Sequence, residues 1–212
     1  MPSEASKETW RVFCAIELPE QVRELLAQHI VSLRRAVPDA RASWSRTENI
    51  HLTLKFLGEL QITQVKTFSD AVIRATTGFS PFTLGVGEPG AFPTHGSPRV
   101  LWIGVNDFSG KLADLHARLE YESQQVGFEK ETRSFHPHFT LARFREQRRR
   151  VKQSRADEGQ RARDLASAHK TMQLPSVEIA VTELLVIRSE LGVGGSKYTV
   201  ISGHPLGMAG KL

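Results

Sequence analysis

The chain has 212 residues, with 28 Lys+Arg against 23 Asp+Glu, a net charge of +5 and one cysteine. At one domain per roughly 150 residues, this is one large domain or two small lobes sharing a core. Cys14 alone excludes an internal disulfide framework and any cysteine-cluster zinc site, and no apolar run approaches the ~18 residues of a membrane span. The start, MPSEASKET, lacks a basic region, and the apolar stretch 12–16 is too short for a signal peptide, so a soluble cytoplasmic protein is expected.

In chain order, residues 1–10 read as a polar tail and 11–18 (RVFCAIEL) as a buried strand. Pro19 and Glu20 open a helical pattern with Val22, Leu25, Leu26, Ile30 and Leu33, which Pro38 and Asp39 end. Residues 49–56 (NIHLTLKF) alternate, with Ile50, Leu52, Leu54 and Phe56 on one face and His51, Thr53 and Lys55 on the other. The order then repeats. Residues 99–105 (RVLWIGV) read as a strand with Trp102 in the core, 111–126 as a helix with Leu112, Leu115 and Leu119 on one face, and 134–143 (SFHPHFTLAR) as a second His-x-Thr segment. From Arg11 to His51 is 40 residues, and from Arg99 to His138 is 39. Two strand–helix–strand units of matching length, each ending in His-x-Thr-Leu, predict an internal duplication. Residues 81–86, 177–181, 183–191 and 197–202 read as hairpin strands, with the glycines of 192–195 as a turn. The pattern is α+β: two similar lobes facing each other, each contributing one His-x-Thr strand, in a single domain over 11–206 with a short tail at 207–212.

The charge is not spread evenly. Residues 145–170 hold nine Lys/Arg and four Asp/Glu, which is the whole excess. The segment has no aromatic residue, so it reads as a solvated, partly helical connector, or as a phosphate-attracting arm without base stacking.

Side chains at i and i+2 of a strand share a face, so His51 with Thr53, and His138 with Thr140, each set an imidazole beside a hydroxyl. Histidine gives or takes a proton near neutral pH, and threonine supplies a short, stiff donor. Two such pairs about a pseudo-twofold can grip one anion, one histidine deprotonating the attacking group while the other protonates the leaving oxygen. That is the chemistry of metal-free phosphodiester cleavage. Lys55, on the face of His51 and Thr53, is expected at the anion or its rim. Trp44 stands five residues before Asn49, where it either stacks on a base at the groove edge or packs. His136 and His138 form a His-x-His pair, but Pro137 and the lack of a carboxylate before Glu146 argue against a metal. His29, His95, His116, His169 and His204 have no partner at useful spacing and read as surface or lightly buried. Cys14 reads as packing.

HLTLKFLG (51–58) and HPHFTLAR (136–143) resemble the paired signatures of the 2H phosphoesterase superfamily, and more closely its RNA 2′,3′-cyclic phosphodiesterase family, also called 2′-5′ RNA ligase. FCAIELP (13–19), PRVLW (98–102) and SELG (189–192), with Gly195 and Tyr198, extend the resemblance over about residues 11–206. It implies a bilobal fold of mixed or antiparallel sheets with helices outside and a central groove, with neither metal nor cofactor. It also implies hydrolysis of an RNA terminal 2′,3′-cyclic phosphate to a 2′-phosphomonoester. By position, His51 is then the proton donor and His138 the acceptor, Thr53 and Thr140 hold the non-bridging oxygens, and Arg143 binds the phosphate. Strict alternation puts Arg143 on the face opposite His138, so it reaches the phosphate only if the strand ends, twists or bulges after Leu141. Reversal, with an RNA 5′-hydroxyl as nucleophile, would give 2′-5′ ligation. The implied partner is RNA with 2′,3′-cyclic phosphate ends, met by a monomer with no obligate protein partner and no membrane. Two other readings stay open: an RNA-end-binding module with little turnover, and a phosphodiesterase acting on a small cyclic phosphate such as a cyclic nucleotide or ADP-ribose cyclic phosphate.

Overall fold

The computed structural model describes residues 8–144, 152–192 and 195–207. Most of the predicted polar tails and the start of the basic segment (145–151) lie outside the described residues. The first unit runs from β1 (Thr9–Glu17) through α1 (Glu20–Ala36), a short β2 (Ser43–Trp44) and a 3-10 turn at Thr47–Asn49 to β3 (His51–Gln61). After α2 (Ile62–Thr76) and β4 (Phe82–Phe92), the second unit runs from β5 (Val100–Asn106) through α3 (Lys111–Gln125) to β6 (His138–Arg143). It is followed by α4 (Lys152–Thr171), β7 (Glu178–Val181) and the hairpin β8 (Glu183–Gly192) and β9 (Gly195–Pro205).

Two antiparallel sheets result, one ordered β3-β1-β8-β9 and the other β2-β6-β5-β4-β7. In each, the first strand of a unit pairs with the strand that carries that unit's His-x-Thr, so the duplication legible in the sequence is a duplication of sheets. The lobes are interlocked, because β4 leaves the first unit to pair with β5 and β8 returns the chain from the second sheet to β1. One apolar cluster joins both, with Val12, Cys14, Ile16 and Leu52 from the first sheet meeting Leu84, Ile103, Phe139 and Leu141 from the second. A core shared this way makes independent folding of either lobe unfavourable, since each would expose the face the other covers.

α1 starts at Pro19, whose ring presets a helix-compatible φ of −58°, and it buries Val22, Leu26, Ile30 and Leu33 along one stripe. α2 is an unanticipated helix. Its apolar positions Val65, Phe68, Val72 and Ala75 follow helical spacing among polar residues, and it lies on the first sheet beside α3. α4 carries most of the basic segment but is more than a solvated connector. Ala162, Leu165, Ala166 and His169 are buried, packing it against β4 and α1. Among the described residues no helix is long and apolar enough to cross a membrane.

Candidate active site

β3 and β6 face each other across the pseudo-twofold, with Cα atoms of the two strands coming within 8 Å. Each opens on its histidine. In both, Nδ1–H donates to the backbone carbonyl two residues earlier: His51 to Asn49 O at 2.8 Å, His138 to His136 O at 2.6 Å. That bond fixes the ring and leaves Nε2 as the working nitrogen on each side. Asn49 is itself tied down, its Nδ2 donating to Ser196 O at 2.7 Å across the first sheet. Thr53 and Thr140 are half-buried on the same faces, and no described residue occupies either hydroxyl with a hydrogen bond.

Aromatic rings wall both imidazoles. Phe13 stacks on His51 at 4.6 Å between centroids, and Tyr198 meets it edge-on at 5.3 Å. Phe92 meets His138 edge-on at 5.3 Å, with Trp102 at 6.0 Å. Burial against these rings disfavours the charged form, pushing His51 down to about 4 in spite of the favourable Asn49 carbonyl. His138 is lowered for the same first reason, and the nearby Arg143 guanidinium lowers it further. Both imidazoles are therefore neutral near pH 7 until an anion arrives.

The strands share a second device. Ala15 pairs with Thr53 but Cys14 with Lys55, so Leu54 is an extra residue bulged out of register. Trp102 pairs with Thr140 but Leu101 with Ala142, so Leu141 is bulged at the matching place. Each bulge puts two consecutive residues into the core, Leu54 with Lys55 and Leu141 with Ala142, and turns the next one outward: Phe56 and Arg143. The condition the sequence set for Arg143 is thus met. Its guanidinium is exposed, close enough to act on the charge of His138 and without an ion pair among the described residues. The residue just after β2 grips this bulge, the Ser45 hydroxyl donating to Thr140 O at 2.7 Å and the Ser45 N–H to Leu141 O at 2.8 Å.

The same bulge overturns the placement of Lys55. Its ammonium is buried, donating to both oxygens of Glu120 at 2.8 Å and to Glu129 O at 2.9 Å, so it staples β3 to α3 and does not reach the groove. Phe56 correspondingly leaves the core face and is 52% exposed, under the Arg11 guanidinium at 4.9 Å. Trp44 pairs with Ala142 and so takes the core face of the second sheet, opposite the face of Thr140; it lines a cavity behind the sheet edge and packs on the core. Trp102 moves the other way. It is half-buried beside Thr140, its indole lying on Gly90, where any Cβ would meet the ring at 2.2 Å. Phe92 and Trp102 had no local signal, since strand pairing brings them to His138. His29 and His169, 140 positions apart, form a buried pair at 2.8 Å, and His169 Nε2–H donates to Trp102 O at 2.9 Å.

The sequence model of the LigT-like phosphoesterase family matches twice in succession, over residues 16–102 and 103–198. The chain belongs to that family. Two matches of one model, split within β5, agree with the duplication of the two sheets. The chain is similar to the RNA 2′,3′-cyclic phosphodiesterase of Methanothermobacter thermautotrophicus, 31% identical over 89% of this chain and 95% of that one. It is also similar to the protein of the same name from Thermotoga maritima, 29% identical over 90% and 92%. Among solved structures of the LigT-like fold, a Thermus thermophilus protein superposes with a TM-score of 0.70 at 26% identity, covering 95% of this chain and all of that one. Escherichia coli LigT complexed with 3′-AMP gives 0.67 at 27% identity, with the same coverage.

Proposed function

We propose that the protein hydrolyses the terminal 2′,3′-cyclic phosphodiester of RNA to a 2′-phosphomonoester, with the two histidines as acid and base. The observation that carries this reading is the pair of imidazoles, each pinned through Nδ1 and each beside a threonine hydroxyl that no described residue occupies, on strands facing across one groove. The relatives named RNA 2′,3′-cyclic phosphodiesterase support the substrate class.

In the reaction, His138 Nε2 takes a proton from water as the water oxygen bonds to phosphorus. The P–O3′ bond breaks, and His51 Nε2–H gives its proton to O3′. The Thr53 and Thr140 hydroxyls and the Arg143 guanidinium meet the non-bridging oxygens, where charge builds in the transition state. His51 as donor and His138 as acceptor follow the family resemblance by position. Burial is the first cause that lowers both imidazoles, and a bound phosphate anion offsets it on each; Arg143 is a lesser cause that opposes a proton on His138. Hydrolysis needs one imidazole charged and one neutral, and each well-placed proton transfer contributes ~100- to 10,000-fold.

The test is to incubate the protein with an oligoribonucleotide ending in a 2′,3′-cyclic phosphate, in the presence of a chelator, and to identify the product. A 2′-phosphate is expected. A 3′-phosphate would mean that the other P–O bond breaks, and turnover only with added metal would contradict the two-histidine mechanism.

A further inference from the structure

Behind the edge of the second sheet lies a cavity of about 1500 Å³, away from both histidines. Among the described residues it is lined by the last turns of α1, the chain leading into β2, the 93–99 connection and α4. Arg34, Arg35, Arg41 and Arg99 face it, with Glu158 as the only carboxylate among the described residues and Trp44 in its wall. Arg34 and Arg35 complement the C-terminal dipole of α1, but Arg41 and Arg99 belong to no helix. Arg41 lies 4.0 Å from Glu158, and Arg99 and Glu158 have partners of their own. The positive excess over one carboxylate remains.

Three features identify an occupant. The charge calls for a polyanion, because clustered guanidinium groups gain affinity by releasing counterions from a phosphate chain. The volume exceeds the 300–1,000 Å³ usual for a small-molecule site, which suits several nucleotides better than one. The position is at the sheet edge next to the site: Ser43, on the cavity wall, is the strand partner of Arg143, so a chain leaving the histidine-bearing face beside Arg143 reaches the cavity by crossing the two-residue edge strand β2. We infer that the cavity holds the RNA chain on the 5′ side of the terminal cyclic phosphate, passing around β2, with Trp44 as an aromatic surface for a base. The cavity thereby selects polymer ends over free cyclic nucleotides. This rests on the cyclic-phosphodiesterase reading above.

The test compares two substrates, a 2′,3′-cyclic mononucleotide and an oligoribonucleotide of about ten nucleotides with the same end, for the native protein and for the triple variant Arg34→Glu, Arg35→Glu, Arg41→Glu. All three side chains are exposed, and a thermal melt checks folding. The variant is expected to lose ~10-fold or more in kcat/KM on the oligonucleotide and to flatten its log–log salt dependence by about 2, at ~0.7 per single-strand phosphate contact. On the mononucleotide it should stay within about twofold of native. An unchanged oligonucleotide rate, or an equal loss on both substrates, overturns the inference. If native protein turns over neither substrate, the phosphodiesterase reading is what fails. Binding of the same oligonucleotide by fluorescence anisotropy then decides the cavity, supporting it at ~10-fold weaker binding by the variant and overturning it at equal binding.

Discussion

The two lobes use the same backbone twice and then diverge at two positions. His-x-Thr, a bulge on the following leucine, two buried residues and one outward residue recur in β3 and β6. The buried pair ends in Lys55 in one lobe and Ala142 in the other; the outward residue is Phe56 in one and Arg143 in the other. The imidazole–threonine arrangement is therefore duplicated, while the outward residue after the bulge is a cation in the second lobe and an aromatic ring, under the Arg11 guanidinium, in the first. A symmetric pair of histidines has no intrinsic direction. In the proposed mechanism the Arg143 guanidinium supplies one difference, by opposing a proton on His138, and the cation one position earlier in the other lobe, Lys55 at the place of Ala142, is neutralised inside by Glu120.

The largest effects should come from the duplicated part. His51→Ala and His138→Ala are each expected to lower kcat by ~100-fold or more in steady-state assays, with little change in RNA-end binding. Next comes the lysine that the bulge buries. Lys55→Met leaves the Glu120 carboxylate without its cation, so chemical denaturation should show a loss of about 3 kcal/mol, with KM unchanged for protein that remains folded. Lys55→Met with Glu120→Leu should recover part of that loss. Arg143→Ala should cost about 10-fold in kcat/KM, as expected for losing a charged hydrogen bond to phosphate. Phe56→Ala, the matching truncation across the pseudo-twofold, should change kcat/KM by less than about threefold. Equal losses from the two would remove the asymmetry argued above.

The last effect concerns stability and its dependence on pH. Burial holds His29 down near 4, against an ordinary value of 6.5, and His169 is also lowered. With folded values below unfolded ones, their contribution is fully present above about pH 6.5 and is lost as pH falls toward 4, where the unfolded chain binds the extra protons. Denaturation curves across that window should slope accordingly. His29→Gln should reduce the slope by up to about 1.4 kcal/mol per pH unit, and an unchanged slope would place the acid sensitivity elsewhere.

Much of the fold was legible because each His-x-Thr strand keeps period-two alternation through its first four residues and α1 and α3 each keep one apolar stripe; α2 and the packed face of α4 were not. Alternation fails at Leu54 and Leu141, because a bulge is set by pairing with a distant strand and leaves no local mark. Arg143 comes to the face of Thr140 only through a bulge, and the same allowance for the first motif sends Lys55 inward. Trp102 left its expected core place for a related reason, and Trp44 took the packing alternative. Which face of a strand meets the groove depends on the sheet order, and Gly90, which makes room for the Trp102 indole, is ten residues from Val100 at the start of the neighbouring strand. The His29–His169 pair spans 140 positions and could be seen only after α4 had docked on α1.

The account stands on both lobes gripping one phosphate. NMR titration of the His51 and His138 imidazoles, with and without inorganic phosphate, tests that most directly. In the free protein both should titrate below 6.5, His51 near 4, and phosphate should raise both together. A response from one histidine alone, or from neither, would contradict a single anion held between the lobes.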